Sequence, residues 1–161
     1  MYKVNSLRKH LSCANRLLKQ NPEQLHIFVD EGNILATGTA SLSHEYQYRL
    51  NIHIEDYAGP LETITIPLLA WISIHQNDLL ANPEKRRTGI SLDIDFNNNQ
   101  TCDILIRLNL TEKSIVSIDK SGNIRFFHQK EPQSTPPYPD TFWTRHGKDL
   151  FTEWEFIQDG E

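Results

Sequence analysis

Residues 89–110 read GISLDIDFNNNQTCDILIRLNL, with apolar and polar side chains alternating on both sides of an Asn-rich stretch. The apolar positions are Ile90, Leu92, Ile94, Phe96, Ile104, Ile106, Leu108 and Leu110. This period of two predicts a β-hairpin with one apolar face. All of these positions are even-numbered, so a common face requires a loop of odd length. We expect the register that places Asp93 opposite Arg107 on the polar face.

The same alternation extends to both sides of this hairpin. Residues 44–57, HEYQYRLNIHIEDY, predict one long strand with a single covered face. Residues 24–38 contain two short apolar runs around Glu31-Gly32-Asn33, which predicts a hairpin that turns there. Residues 111–129 predict a further hairpin that turns at residues 120–123. Together these segments predict about seven strands.

Two segments have helical spacing instead. Apolar residues recur every three or four positions at Leu7, Leu11, Ala14 and Leu18, which predicts an amphipathic helix from about Leu7 to Gln20. Residues 61–76 predict a second helix, in which Pro67 either introduces a kink or marks the true start. The charged stretch 82–89, NPEKRRTG, predicts a loop. The fold class expected is α+β, a mostly antiparallel sheet with two main helices packed on one face.

The C-terminal part of the chain has a different composition. We divide the chain into an α+β domain at residues 1–130, a Pro-rich linker at 131–140 and an aromatic arm at 141–161. The large aromatic side chains of the arm must be buried, either on the parent domain or on a neighbouring subunit or partner. An extended linker of this length reaches about 30 Å, at ~3.1 Å per residue. The candidate docking anchors are Trp143, Phe151 and Trp154.

The overall composition excludes several classes of protein. The chain has 161 residues, 38% of them hydrophobic, and a formal charge of −5, which is ordinary for one soluble domain. An acidic balance argues against a protein that grips phosphate backbones. Cys13 and Cys102 are too few for a disulfide framework or a zinc site. No apolar run is long enough to span a membrane, so we expect a protein kept inside the cell.

Asp93 and Asp95 form the most catalyst-like pair, since both project from one strand face two residues apart. A metal ion there would need further oxygen ligands, which Asn97 or Asp103 could supply. A solvated sheet face, with Arg107 neutralising one carboxylate, is the favoured interpretation because half-exposed strands carry alternating polar residues. The chain contains no motif for a nucleophilic serine, a phosphate-binding loop or a zinc site. We therefore predict no catalytic residue, cofactor or metal ion.

Five stretches within residues 5–118 resemble one protein family in their order and content. They are NSLRKHL, LHIFVDEGNILATG, ASLSHEYQYRLNIHIEDYAG, IPLLAWI and DIDFNNNQTCDILIRLNLTE. The family is that of the bacteriophage tail completion protein R, from temperate contractile-tailed phages and their prophages. No catalytic motif accompanies this resemblance. The residues after Pro132 match no pattern of the family.

The resemblance implies a structural protein at the head-proximal end of a phage tail, similar in role to a tail terminator. Its expected partners are the tail tube protein, a second tail completion or head-joining protein, and further copies of itself in a six-fold ring. DNA would pass through this ring without specific binding, with no membrane involved. The expected location is the host bacterial cytoplasm during assembly and then the virion tail. A non-virion protein-binding module, or a small metal-dependent hydrolase using Asp93 and Asp95, remains the alternative.

Overall fold

A computed structural model of the chain describes residues 1–38, 40–97 and 100–132. Its fold is α+β, as the sequence predicts. The helices are α1 (Tyr2–Ala14), α2 (Arg16–Gln20), α3 (Glu62–His75), α4 (Asp78–Ala81) and α5 (Pro83–Thr88), with a 3₁₀ turn at Pro22–Gln24. The strands are β1 (Leu25–Ala36), β2 (His44–Tyr57), β3 (Ile90–Phe96), β4 (Cys102–Ile118) and β5 (Ile124–His128).

The strands form one antiparallel sheet around the long strand β4. Its order is β1-β2-β4-β3, and β5 pairs with the far end of β4. Ser114 of β4 faces His44 on one side and His128 on the other, so β5 lies on the edge opposite β2. The strands β3 and β5 therefore share one edge of β4, one beyond the other.

The core lies between one sheet face and the helices α1 and α3. Even-numbered residues of β2 and β4, such as Ile52 and Ile106, meet Leu11 of α1 and Trp71 of α3 in one buried cluster. Trp71 is 1% exposed and is among the largest fully buried side chains. The period of two in the strands and the period of 3.6 in the helices thus bury one face of each. The prediction of two main helices packed on one sheet face is confirmed.

The prediction of a hairpin that turns at residues 31–33 is wrong, because β1 continues through this stretch as one strand. Its register against β2 shifts between Val29 and Glu31, where one extra residue is accommodated as a bulge. Gly32 does not have the positive φ that a tight hairpin turn requires. The sequence prediction failed because polar residues and glycine occur at a bulge on an edge strand as well as in a turn. The strand β4 likewise continues past Leu110, so the described residues contain five strands instead of about seven.

The hairpin of β3 and β4 has the odd loop length expected, but its register differs from the one predicted. Asp93 faces Leu105, and Arg107 faces Ser91. Arg107 reaches Asp93 across the diagonal instead and forms an ion pair with it. The predicted charge pair is therefore present, although the residues are not directly opposite.

The helical segments also differ from the sequence prediction in detail. The first helix begins at Tyr2 and is interrupted at Asn15, whose side chain caps α2. Pro67 lies inside α3, which begins before it at Glu62. The stretch predicted as a charged loop forms α5, because Asn82 accepts two backbone N–H groups as its N-cap.

Candidate functional site

Asp93, Asp95 and Arg107 project from the sheet face opposite the helices, which we call the open face. Arg107 Nη1 donates a hydrogen bond to Asp93 Oδ2, and the Asp93 side chain is 65% exposed. Asp95 faces Asp103 across the ladder. The structure thus places the predicted residues on one solvated face, with one carboxylate already paired.

Asp103 holds the end of this hairpin together. Its Oδ1 accepts hydrogen bonds from the backbone N–H of Asp56 and from Asn97 Nδ2, both at 2.8 Å. These two bonds lower the pKa of Asp103. Among the described residues, no group of three or more His, Cys, Asp or Glu side chains is arranged to hold a metal ion. Asp103 and Asn97, which sequence reasoning considered as metal ligands, hold the hairpin end instead.

The three aromatic anchors Trp143, Phe151 and Trp154 lie outside the described residues, as does the linker after Pro132. Their docking stays a prediction. The described chain ends beside the start of α1, where Lys3 Nζ binds Glu131 Oε1 at 2.7 Å. This ion pair fixes the point from which the linker departs.

A groove that the sequence did not predict lies at this point. It has a volume of about 550 Å³ and runs between the start of α1, the end of α3 and the pair β4–β5. The side chains that line it include Tyr2, Lys3, Ile74, His75, Lys113 and His128. We call it the aromatic groove, because a row of rings follows it.

Neighbouring rings in this row are 4.7 to 6.2 Å apart between centroids. Trp71 stacks on His75 at 4.7 Å, and Tyr2 follows at 6.2 Å. Tyr2 stacks on His128 at 6.0 Å, and Phe126 meets His128 edge-on at 6.2 Å. The row thus leads from a fully buried Trp71 to Phe126, which is 68% exposed. Such spacings are those of interacting aromatic pairs.

The surroundings of His75 keep this side chain of the groove uncharged. Burial, followed by the charge of Lys3 and the neighbouring His10, lowers the pKa of His75 to about 4. The imidazole of His75 is therefore neutral near pH 7 and presents an aromatic surface.

Glu112 fixes the start of α1 against the sheet. This carboxylate, 3% exposed, accepts the backbone N–H groups of Tyr2 at 2.9 Å and Lys3 at 3.0 Å. It also accepts the hydroxyl of Tyr48, and burial together with this bond raises the pKa of Tyr48. A carboxylate at a helix N-terminus is favourable because it satisfies free N–H groups and complements the helix dipole. The backbone at the groove wall formed by Tyr2 is therefore held against β4 by these hydrogen bonds.

A family model of the P2 phage tail completion protein R (GpR) matches residues 1–133, which include the whole described fold. The chain belongs to this family. Tail completion protein R of Escherichia phage P2 is 40% identical to it over 141 residues, which are 88% of this chain and 89% of that protein. No solved structure matches the chain. The resemblance seen in residues 5–118 is thus confirmed.

Membership of the tail completion protein R family establishes the function at a coarse level. The chain acts in phage tail completion, as a component of the virion tail that interacts with other tail proteins. A family of structural tail proteins favours a non-enzymatic role. Within the described part of the chain, no helix is long and apolar enough to cross a membrane.

Proposed function

We propose that this chain caps the head-proximal end of the tail tube, as a tail terminator does, and prepares the tail to join a filled head. The observation that carries this proposal is the 40% identity to tail completion protein R of phage P2 over 89% of that protein. The proposed partners are the tail tube protein and a second tail completion or head-joining protein. Assembly would take place in the host bacterial cytoplasm.

We propose further that the chain forms a six-fold ring at the tube end. A closed ring of head-to-tail contacts needs two different patches on each subunit. The sheet offers two such patches, because apolar side chains are exposed at both ends of its β3/β5 edge. One patch contains Leu92 and Phe96 of β3, and the other contains Ile124 and Phe126 of β5; the exposed fractions range from 43% to 76%. These patches support the proposal of self-association.

The open face is the proposed lining of the ring lumen. It carries Asp93 and Asp95, and each chain has a formal charge of −5, so six copies carry about −30. An acidic lumen repels phosphate groups and lets DNA pass without sticking. A hydrolase that uses Asp93 and Asp95 is not favoured, because Arg107 pairs with Asp93.

Electron microscopy of purified tails tests the proposed location directly. A copy of the chain carrying a small affinity tag before Met1 is expressed during phage assembly, and gold-labelled antibody then reports its position. Label at the head-proximal end alone, with six-fold density in averaged end views, is the expected result. Label along the tube or at the baseplate would contradict the proposal. Tails assembled with untagged protein provide the background control.

A further inference from the structure

We propose that the aromatic groove receives the C-terminal aromatic arm of a neighbouring copy of this chain, with Trp154 as the side chain that inserts beside Tyr2 and Phe126. The inference deepens the proposed ring and rests on it. In this arrangement the groove continues the β5 patch that contains Phe126, and the arm of the neighbouring copy is an additional segment that this part of the surface receives.

The chemistry of the groove suits an aromatic side chain. Its volume of about 550 Å³ lies within the range of well-formed ligand pockets. Rings of Tyr2, His75, His128 and Phe126 line it or border it, and Tyr2 and Phe126 are half or more exposed. A tryptophan buries 150 to 250 Å² and gains further energy when it packs edge-on or offset against other rings. The row of rings therefore offers a place to extend the stack by one more.

The point at which the described chain ends suits an arm that contacts a neighbouring copy. Glu131 is fixed beside the groove by Lys3, so the linker starts there. Between Pro132 and Trp143 the sequence contains three more prolines, at positions 136, 137 and 139. Proline-rich sequences favour an extended chain, so a spacer of about ten residues can reach about 30 Å at ~3.1 Å per residue. That reach is enough for the proposed contact with the groove of the next subunit.

Charge at the groove rim complements the sequence of the arm. The residues that line the groove include three lysines, Lys3, Lys113 and Lys130, and two glutamates, Glu112 and Glu131, so its lining has a formal excess of one positive charge. In the arm, Glu153 and Glu155 flank Trp154 on both sides. Opposite charges around an apolar centre steer association and fix orientation. The rim therefore favours Trp154 over Trp143, which has no acidic neighbour within two residues.

Sedimentation velocity on the full-length chain measures the proposed contact. We expect self-association of the wild type, and a dissociation constant raised about tenfold or more in the groove variant Phe126→Ser and in the arm variant Trp154→Ala. Ile34→Ser is the matched control, because Ile34 is an equally exposed apolar residue, at 69%, on the strand β1 away from the groove and from both patches. It should associate as the wild type does. Thermal unfolding confirms that each variant keeps the fold.

Mixing the two variants separates a contact between copies from one within a chain. The groove variant retains an intact arm, and the arm variant retains an intact groove, so a mixture should form a one-to-one heterodimer that neither forms alone. A mixture that remains monomeric, or an arm variant that associates as tightly as the wild type, overturns the proposal. So does a wild type that remains monomeric at its highest soluble concentration. The association experiments can fail in one of these ways while deletion of the gene still gives incomplete tails. In that case only the groove assignment has failed, and the proposed function stands.

Discussion

Asn15 lies between α1 and α2, and its buried side chain bonds to several parts of the fold. Its Oδ1 accepts the backbone N–H of Leu18 at 3.1 Å, which caps α2. Its Nδ2 donates to the Tyr57 hydroxyl at 2.8 Å and to the carbonyl of Thr63 at 3.2 Å. The Thr63 carbonyl needs this partner because Pro67, four residues later, has no N–H to donate. The side-chain amide of Asn15 thus caps α2 and also provides the hydrogen bond that Pro67 cannot donate within α3.

We predict that Asn15→Ala lowers the free energy of unfolding by about 2–3 kcal/mol, from a lost cap and unsatisfied buried groups. Asn82→Ala is the matched control, since Asn82 caps α5 at an exposed position through the backbone N–H of Glu84. It should cost about 1 kcal/mol or less. Urea denaturation of both variants provides the comparison. Equal losses would show that the Asn15 side chain acts only as a cap.

His75 should make the stability of the protein depend on pH. Burial and the charge of Lys3 lower its pKa from 6.5 to about 4, so the unfolded chain takes up this proton at a higher pH than the folded chain does. The contribution of His75 to the free energy of unfolding is therefore fully present above pH 6.5, and it is lost as the pH falls from 6.5 to 4. His75→Phe removes the titration and keeps a ring beside Trp71.

When the pH is lowered from 7 to 4, we predict that the free energy of unfolding falls by about 1 kcal/mol more in the wild type than in His75→Phe. This value is smaller than the full pKa shift would give, because solvent screens the part of the ring that is exposed. Urea denaturation at several pH values measures the difference. Parallel pH profiles for the two proteins would contradict the prediction.

The strands show where sequence patterns suffice and where they fail. Alternation predicts β2 and β3 well, because the apolar residues of each strand lie on one face and few residues interrupt the pattern. The prediction ends the strand after Leu110, whereas β4 continues to Ile118. The reason is Glu112, a carboxylate on the buried face, which is there to cap α1 through the N–H groups of Tyr2 and Lys3. Tyr2 lies 110 positions from Glu112 in the sequence, so the residues around Glu112 do not indicate this contact.

Gly89 follows α5 and precedes β3 at a position where a side chain has no room. Its N–H bonds to the Lys85 carbonyl, and a Cβ placed here would lie 2.6 Å from that oxygen. We predict that Gly89→Ala costs about 2 kcal/mol, as overpacking against backbone does. Gly32→Ala on β1 is the control: its Cβ would be 3.4 Å from the Tyr48 Cβ, and its cost should stay within about 1 kcal/mol. Chemical denaturation that ranks Gly32→Ala as the more costly would contradict this.

The open face should contribute little to folding. Asp93 and Arg107 form an exposed ion pair, and such pairs are worth about 0–1 kcal/mol. We predict that the double variant Asp93→Asn/Asp95→Asn changes the free energy of unfolding by about 0.5 kcal/mol or less. Thermal and urea unfolding measure this. A loss of several kcal/mol would give these carboxylates a structural role and remove the main reason for placing them in a lumen.

At the scale of the whole molecule, the sequence predicts the fold class and the family but not the aromatic groove. Fold class, two main helices and family follow from patterns and ordered short matches within residues 5–118. The aromatic groove does not, because it is assembled from chain segments near residues 2, 75 and 128 that meet only in three dimensions. Phe126 and His128 lie two residues apart on β5, and this pair of rings, of which Phe126 is exposed, is the one local signal that could have indicated the groove.

Electron microscopy of phage lysates, with and without this gene, tests tail completion most directly. We predict that loss of the gene leaves headless tails or tails of irregular length, and that a plasmid copy of the wild-type gene restores complete particles. The Ile34→Ser chain should restore them as well, whereas Trp154→Ala should restore fewer, because the proposed ring would lose its arm contact. Normal particles in the absence of the gene would contradict a role in tail completion.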